Sequence, residues 1–248
     1  MKKMMHVGLL EGDIAPMVLL PGSPERSEAI ATHMQYVEEK AYNREYRTFT
    51  GIFAGKPLSV CSTGIGGPSM AIAVEELVQL GATKFVRVGT CLSTNPVVTR
   101  GSLILPQAAV RMEGVAEQYL PPEFPAVADM ELLSFLESAA SSYPYEHHIG
   151  TCITRSSYYT PFDGFSRPVG QRLQETWNSY TRGGAICSDM DTAILFIVAE
   201  SLGVASASAL VCTNSHDTPL SELEDDPADC EQRVIEVVLE AVRRMAHE

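Results

Sequence analysis

The chain has 248 residues, 45% hydrophobic and 20% charged, a composition that suits a globular protein with a sizeable core. Its formal net charge of −13 argues against a general nucleic-acid or membrane surface, because neither polyanion is attracted over the molecule as a whole. Six cysteines, none in a C-x-x-C pair and several inside apolar runs, read as buried reduced thiols rather than as disulfides or a metal site. With no N-terminal apolar leader and no apolar run of spanning length, the expectation is a cytoplasmic protein.

Residues 17–20, MVLL, are a first buried strand, and PGSPER at 21–26 turns it into a helix reaching about residue 34, with Ser23 as N-cap and Pro24 at the first helical position. Residues 43–52, NREYRTFTGI, are β-branched and aromatic, and Gly55-Lys56-Pro57 makes them the hairpin partner of a strand starting at Leu58. On such a strand Arg44 and Arg47 fall on opposite faces. The stretch from Leu58 to Thr90 reads as strand, glycine turn, helix and strand. Gly64, Gly66 and Gly67 supply positive-φ positions, Pro68 opens the helix, and Phe85-Val86-Arg87-Val88 is the next strand. This βαβ unit implies a parallel sheet.

Further strands are expected at 102–105, 108–111, 148–154 and 204–211, with an irregular proline-rich stretch at 112–128. Helices are expected at 130–141, capped by Asp129, at 170–180 around the single Trp177, after Ser188-Asp189-Met190-Asp191, and at 234–245. The acidic stretch 221–229 reads as a solvated loop or lid. No repeat or linker divides the chain, so residues 1–248 are expected to form a single α/β domain with a central mixed sheet flanked by helices on both faces.

Standard sites are absent: the Gly64 turn lacks the GxxxxGK[ST] pattern, and no G-x-S-x-G elbow or H-E-x-x-H motif occurs. More distinctive are Arg26, Arg44 and Arg87, each at or near a strand end or helix start, with Thr90 adding a hydroxyl. Such a set suits a small tetrahedral anion held by backbone N–H groups, hydroxyls and guanidinium forks.

The segments PGSPER, YNREY, STGIGGPSMAIAVEELVQLG, VRVGT, PPEFPAVAD and SDMDTA, in this order, resemble the nucleoside phosphorylases, most closely the uridine phosphorylase branch. The resemblance implies one α/β domain assembled as dimers, often joined into a hexamer, with the active site shared across the dimer interface. It places Gly22, Arg26, Arg87 and Thr90 at the phosphate. Arg44 matches a phosphate arginine donated by the neighbouring subunit, and His6 a histidine that the neighbour places near the ribose 5′-hydroxyl. Met190 and Asp191 match the ribose-binding pair, normally Met-Glu, and Asp189 stands where a glutamate is usual. Tyr158 matches an aromatic residue on the base, with Phe162, Cys91 and Leu92 around it. The implied reaction is phosphorolysis of a nucleoside to free base and (deoxy)ribose 1-phosphate, with inorganic phosphate as co-substrate and no metal or other cofactor.

The sequence departs from the family at the base. The glutamine and arginine that read uracil are replaced by Phe162 and Gly164, unless Gln171 or Arg172 folds back to substitute. Where purine phosphorylases carry a Ser-Asp proton donor, this chain has Ser215-His216-Asp217, so either His216 or Asp217 is a candidate acid. Two other readings follow: a purine nucleoside phosphorylase, or a catalytically weakened paralogue that binds a nucleoside or phosphate. A hydrolytic nucleosidase leaves the arginines without a role.

Overall fold

The computed structural model describes residues 3–160, 166–215, 218 and 228–247. Its centre is β5 (Lys84–Ser93), a strand buried along nearly its whole length. Along one edge, β5 pairs in parallel with β10 (Ala205–Ser215) from Lys84 to Ser93. The other edge is divided. Lys84 to Val88 pair with β1 (Met17–Pro21), whereas Leu92 and Ser93 pair with β9 (Ala185–Asp189), which runs antiparallel.

From this division the sheet runs in two directions. Through β9 it continues to β8 (His147–Arg155), then β6 (Leu103–Met112), then back to β10, so the pairings close on themselves. Through β1 it opens into a wing of β4 (Lys56–Cys61), β3 (Tyr46–Phe53) and β2 (Gln35–Asn43). The short β7 (Ala126–Val127) pairs with β6, making ten strands in one mixed sheet. A crevice forms naturally where one strand edge changes partner, and the carboxyl ends of β1 and β5 point into it.

Six helices cover the sheet among the described residues. α1 (Pro24–Ala31) begins with Ser23 Oγ accepting from the Arg26 N–H at 3.2 Å. α2 (Gly67–Gln79) starts from Gly66 in a positive-φ conformation, and α3 (Met130–Ala140) from Asp129, whose carboxylate accepts the Leu132 N–H. α4 (Gly170–Arg182) buries Trp177 against the sheet. α5 (Thr192–Ser201) is buried on all sides from Thr192 to Ala199, as the apolar run from Ala193 to Ala199 requires. α6 (Ala228–Ala246) lays Val234, Val237, Val238 and Ala241 into the same core. All six cysteines are free and buried.

The βαβ unit, the capped helices and the mixed sheet agree with the sequence. Several local readings need correction. α1 stops at Ala31 rather than near residue 34. The stretch 43–52 is not one strand: β2, an exposed strand without clear alternation, ends at Asn43, and Arg44 turns the chain with φ of 57°. The β3–β4 turn is made by Ala54 and Gly55, both at positive φ, so Lys56 and Pro57 already belong to β4. Gly67 is helical, leaving Gly64 and Gly66 as the positive-φ residues. The two strands expected at 102–111 are one, with a bulge between Pro106 and Ala108. Inside 112–128 lie a short 3-10 turn (Ala116–Gln118) and β7.

Candidate active site

A cavity of about 560 Å³ occupies the division of the sheet, within the range of small-molecule sites. Gly22 reaches it from the β1–α1 turn and Arg26 from the first turn of α1, Gly64 and Ile65 from the β4–α2 turn, and Arg87, Thr90, Cys91 and Leu92 from β5. Arg155 enters from the end of β8 and Tyr158 from the segment after it, Ser188 to Asp191 from the β9–α5 junction, and Thr213 and Asn214 from β10. The fold thus brings together Gly22, Arg26, Arg87, Thr90, Cys91, Leu92, Tyr158, Met190 and Asp191, scattered over 170 positions of sequence but adjacent at strand ends. Phe162, Gly164, His216 and Asp217 lie outside the described residues.

Arg87 anchors the polar wall. Its Nε donates to Asp189 Oδ2 at 3.0 Å, one terminal nitrogen lies 2.8 Å from Asp191 Oδ2, and its buried Nη1 has no hydrogen-bond partner among the described residues. Burial works against the guanidinium charge, yet the Asp191 and Asp189 carboxylates outweigh it and hold the Arg87 pKa above its ordinary value. One cation shared by two acids compensates neither fully. Burial, with Asp189 beside it, therefore raises the Asp191 pKa despite Arg87 and the Gly66 N–H, which donates to Asp191 Oδ1 at 2.7 Å.

Asp189 is the more fully held acid. It accepts from Thr154 Oγ1 at 2.8 Å, Thr192 Oγ1 at 2.7 Å and the Thr192 N–H at 3.0 Å, which fixes the start of α5. Gly89 is another necessary residue that sequence spacing did not single out. A Cβ there would sit 2.7 Å from Leu210 Cδ2 and 2.9 Å from Arg87 Cζ, so only glycine lets the guanidinium fold across its own strand.

Arg26 donates to the Val88 carbonyl at 3.1 Å and pairs with Glu231 of α6, while its buried Nε has no partner among the described residues. Arg44 and His6 do not line this cavity. They share another surface: Asn43 Nδ2 donates to the His6 carbonyl at 2.6 Å, and Arg44 follows in the turn. His6 is not frayed. Glu76 of α2 accepts the His6 and Val7 N–H groups at 3.0 and 2.8 Å, and lies 2.7 Å from His6 Nδ1. Arg47 is directed elsewhere, to Glu28 and Glu39. Gln171 pairs with Glu175 on α4, and neither Gln171 nor Arg172 lines the cavity. Among the described residues, no group of three or more His, Cys, Asp or Glu side chains is placed to hold a metal ion, and no helix is long and apolar enough to cross a membrane.

Fold and site define a mixed-sheet α/β protein with an arginine-lined cleft at strand ends, shaped for an anion beside a polar small molecule. The chain belongs to the phosphorylase superfamily, whose family profile matches residues 16–246. It is 37% identical to a uridine phosphorylase of Treponema pallidum over 96% of this chain and 92% of that one. It is 34% identical to the uridine phosphorylase of Escherichia coli over 97% of each chain, and 31% identical to a guanosine phosphorylase of Halorubrum lacusprofundi over 98% of this chain and 99% of that one.

Proposed function

We propose that this protein is a nucleoside phosphorylase of uridine phosphorylase type, cleaving an N-glycosidic bond with inorganic phosphate to give free base and (deoxy)ribose 1-phosphate. The observation that carries this reading is the convergence of Arg26, Arg87, Thr90 and Gly22 with Met190, Asp191 and Tyr158 in one cavity. A phosphate oxygen bonds to C1′ as the C1′–N bond breaks, and the bonding pair leaves with the base, which takes up a proton. Guanidinium groups and the Thr90 hydroxyl orient the phosphate. Holding it in line with the bond contributes up to ~7–11 kcal/mol of the barrier reduction. Asp191 fixes the sugar through its hydroxyls, and the Arg87 bridge ties that carboxylate to the phosphate end.

His6 and Arg44 complete the site from a second copy of the chain. Their shared surface supports this, as do the exposed apolar side chains of Met5, Tyr36 and Tyr42 on the N-terminal segment and β2, an edge strand that self-association would cover. The protein works in the cytoplasm with phosphate as its co-substrate and no metal. His216 or Asp217 protonates the leaving base.

Purine phosphorolysis is the second reading, favoured by the Halorubrum guanosine phosphorylase among the relatives. Incubation with uridine, thymidine, inosine, guanosine and adenosine, with and without phosphate, tests both. Base release that requires phosphate is expected; release indifferent to phosphate rejects phosphorolysis, and the substrate order separates the two readings.

A further inference from the structure

The cavity wall holds three arginines, and two are matched by carboxylates: Arg26 by Glu231, Arg87 by Asp189 and Asp191. Arg155, the last residue of β8, has no carboxylate in hydrogen-bond contact among the described residues. It is 3% exposed. One terminal nitrogen donates to Ser188 Oγ at 2.6 Å, the buried Nε has no partner among the described residues, and the guanidinium carbon lies 5.7 Å from the centroid of the Tyr158 ring. Burial lowers its pKa, but an arginine keeps its charge in a protein. A buried cation with unused donors is costly unless a ligand completes its coordination.

We propose that Arg155 reads the nucleobase, donating to the oxygen at C4 of a pyrimidine or C6 of a purine and stabilising the negative charge that develops there as the glycosidic bond breaks. This rests on the phosphorolytic reading above. As the C1′–N pair passes to the base, conjugation carries charge onto the ring oxygens, where a fixed guanidinium is most effective. Phosphate closes the bond to C1′ and the released base takes its proton from solvent or from an acid of the site. Arg155 thereby supplies what Phe162 and Gly164 cannot. A guanidinium only donates, so the C4 oxygen of uracil and thymine and the C6 oxygen of hypoxanthine and guanine fit it, whereas the amino groups that cytosine and adenine carry at those positions meet it donor to donor. The site selects keto bases across the pyrimidine–purine divide.

The test compares wild type and Arg155→Gln on uridine, inosine, cytidine and adenosine, with and without phosphate. Wild type is expected to favour the keto nucleosides by at least ~100-fold. Arg155→Gln should lower kcat/KM for them on the order of 10²–10³-fold, leave the KM for phosphate unchanged, and reduce the keto-to-amino ratio at least tenfold. Added guanidinium ion should partly restore Arg155→Ala, which a purely structural role would not predict. Unchanged selectivity in a folded Arg155→Gln protein overturns the proposal while phosphate-dependent turnover by wild type leaves phosphorolysis standing. If wild type releases no base at all, the phosphorolytic reading fails. Calorimetric binding of free uracil and hypoxanthine against cytosine and adenine to wild type then decides Arg155, as it also does if the variants do not fold. A keto preference supports it and equal binding overturns it.

Discussion

Arg87 has two jobs that one substitution cannot separate. Its Nη1, without a hydrogen-bond partner among the described residues, is the donor that the proposed function gives to phosphate, while its other nitrogens neutralise two buried acids. Arg87→Ala should therefore reduce phosphate-dependent kcat/KM by at least ~100-fold. It should also destabilise the fold by about 3–5 kcal/mol, because Asp189 and Asp191 are left buried without their cation. Steady-state kinetics and a urea titration check the two halves independently; loss of activity with an unshifted unfolding midpoint would refute the structural half. Arg26 is balanced differently, by Glu231, a carboxylate that under the proposed function competes with phosphate for the same guanidinium. Glu231→Gln is expected to lower the phosphate KM by about three- to tenfold through removal of a like charge beside the anion. A raised KM would mean that Glu231 aims Arg26 instead of opposing the ligand.

At the scale of elements, β5 holds the site because its edge changes partner between Val88 and Leu92. Gly89 sits in that gap beneath the Arg87 guanidinium. Gly89→Ala should displace Arg87 and cost about 1–3 kcal/mol by overpacking, with turnover falling far more than stability; wild-type kcat/KM would show that the guanidinium does not need this path. The α2 helix holds the N-terminal segment through Glu76. Burial pushes that carboxyl up, but the Val7 N–H and the His6 ring and N–H outweigh it and keep the pKa below its ordinary 4.5. A depressed carboxylate contributes stability above the unfolded-state value and loses it as pH falls through the folded-state value. The His6 and Val7 amides should thus lose exchange protection below about pH 4.5, and Glu76→Gln should release them at neutral pH. Persistent protection in that variant would show that other contacts hold the segment.

For the whole molecule, the proposed sharing of the site makes a prediction that no single chain could satisfy. Arg44→Ala lacks the donated arginine and Arg87→Ala lacks the receiving one, so each alone should be nearly inactive. A hybrid dimer contains one site with both arginines, so mixing and reassociating the two variants should restore up to about a quarter of wild-type activity, the statistical share of intact sites in a C2 assembly. No recovery despite demonstrated hybrids would place Arg44 outside the neighbour's site.

The sequence by itself determined the local devices and the family. Ser23 and Asp129 cap their helices as read, the Gly64 and Gly66 turn joins β4 to α2, and Gly22, Arg26, Arg87, Thr90, Met190 and Asp191 line the observed cavity, whereas Arg44 and His6 do not. These were legible because capping, positive φ and hydrophobic period act over a few residues. β2 escaped notice because a mostly exposed edge strand shows no apolar alternation, and Gly89 because its need arises from a side chain folded over its own strand. Only the tertiary structure decided that Arg87 bridges Asp189 and Asp191, that Glu231 meets Arg26, and that Arg155 enters the cavity with no carboxylate in hydrogen-bond contact among the described residues. The physical reason is common to all three: which charges neutralise one another, and which is left for a ligand, depends on distances between strand ends far apart in the chain, and pairing in the sheet sets those distances.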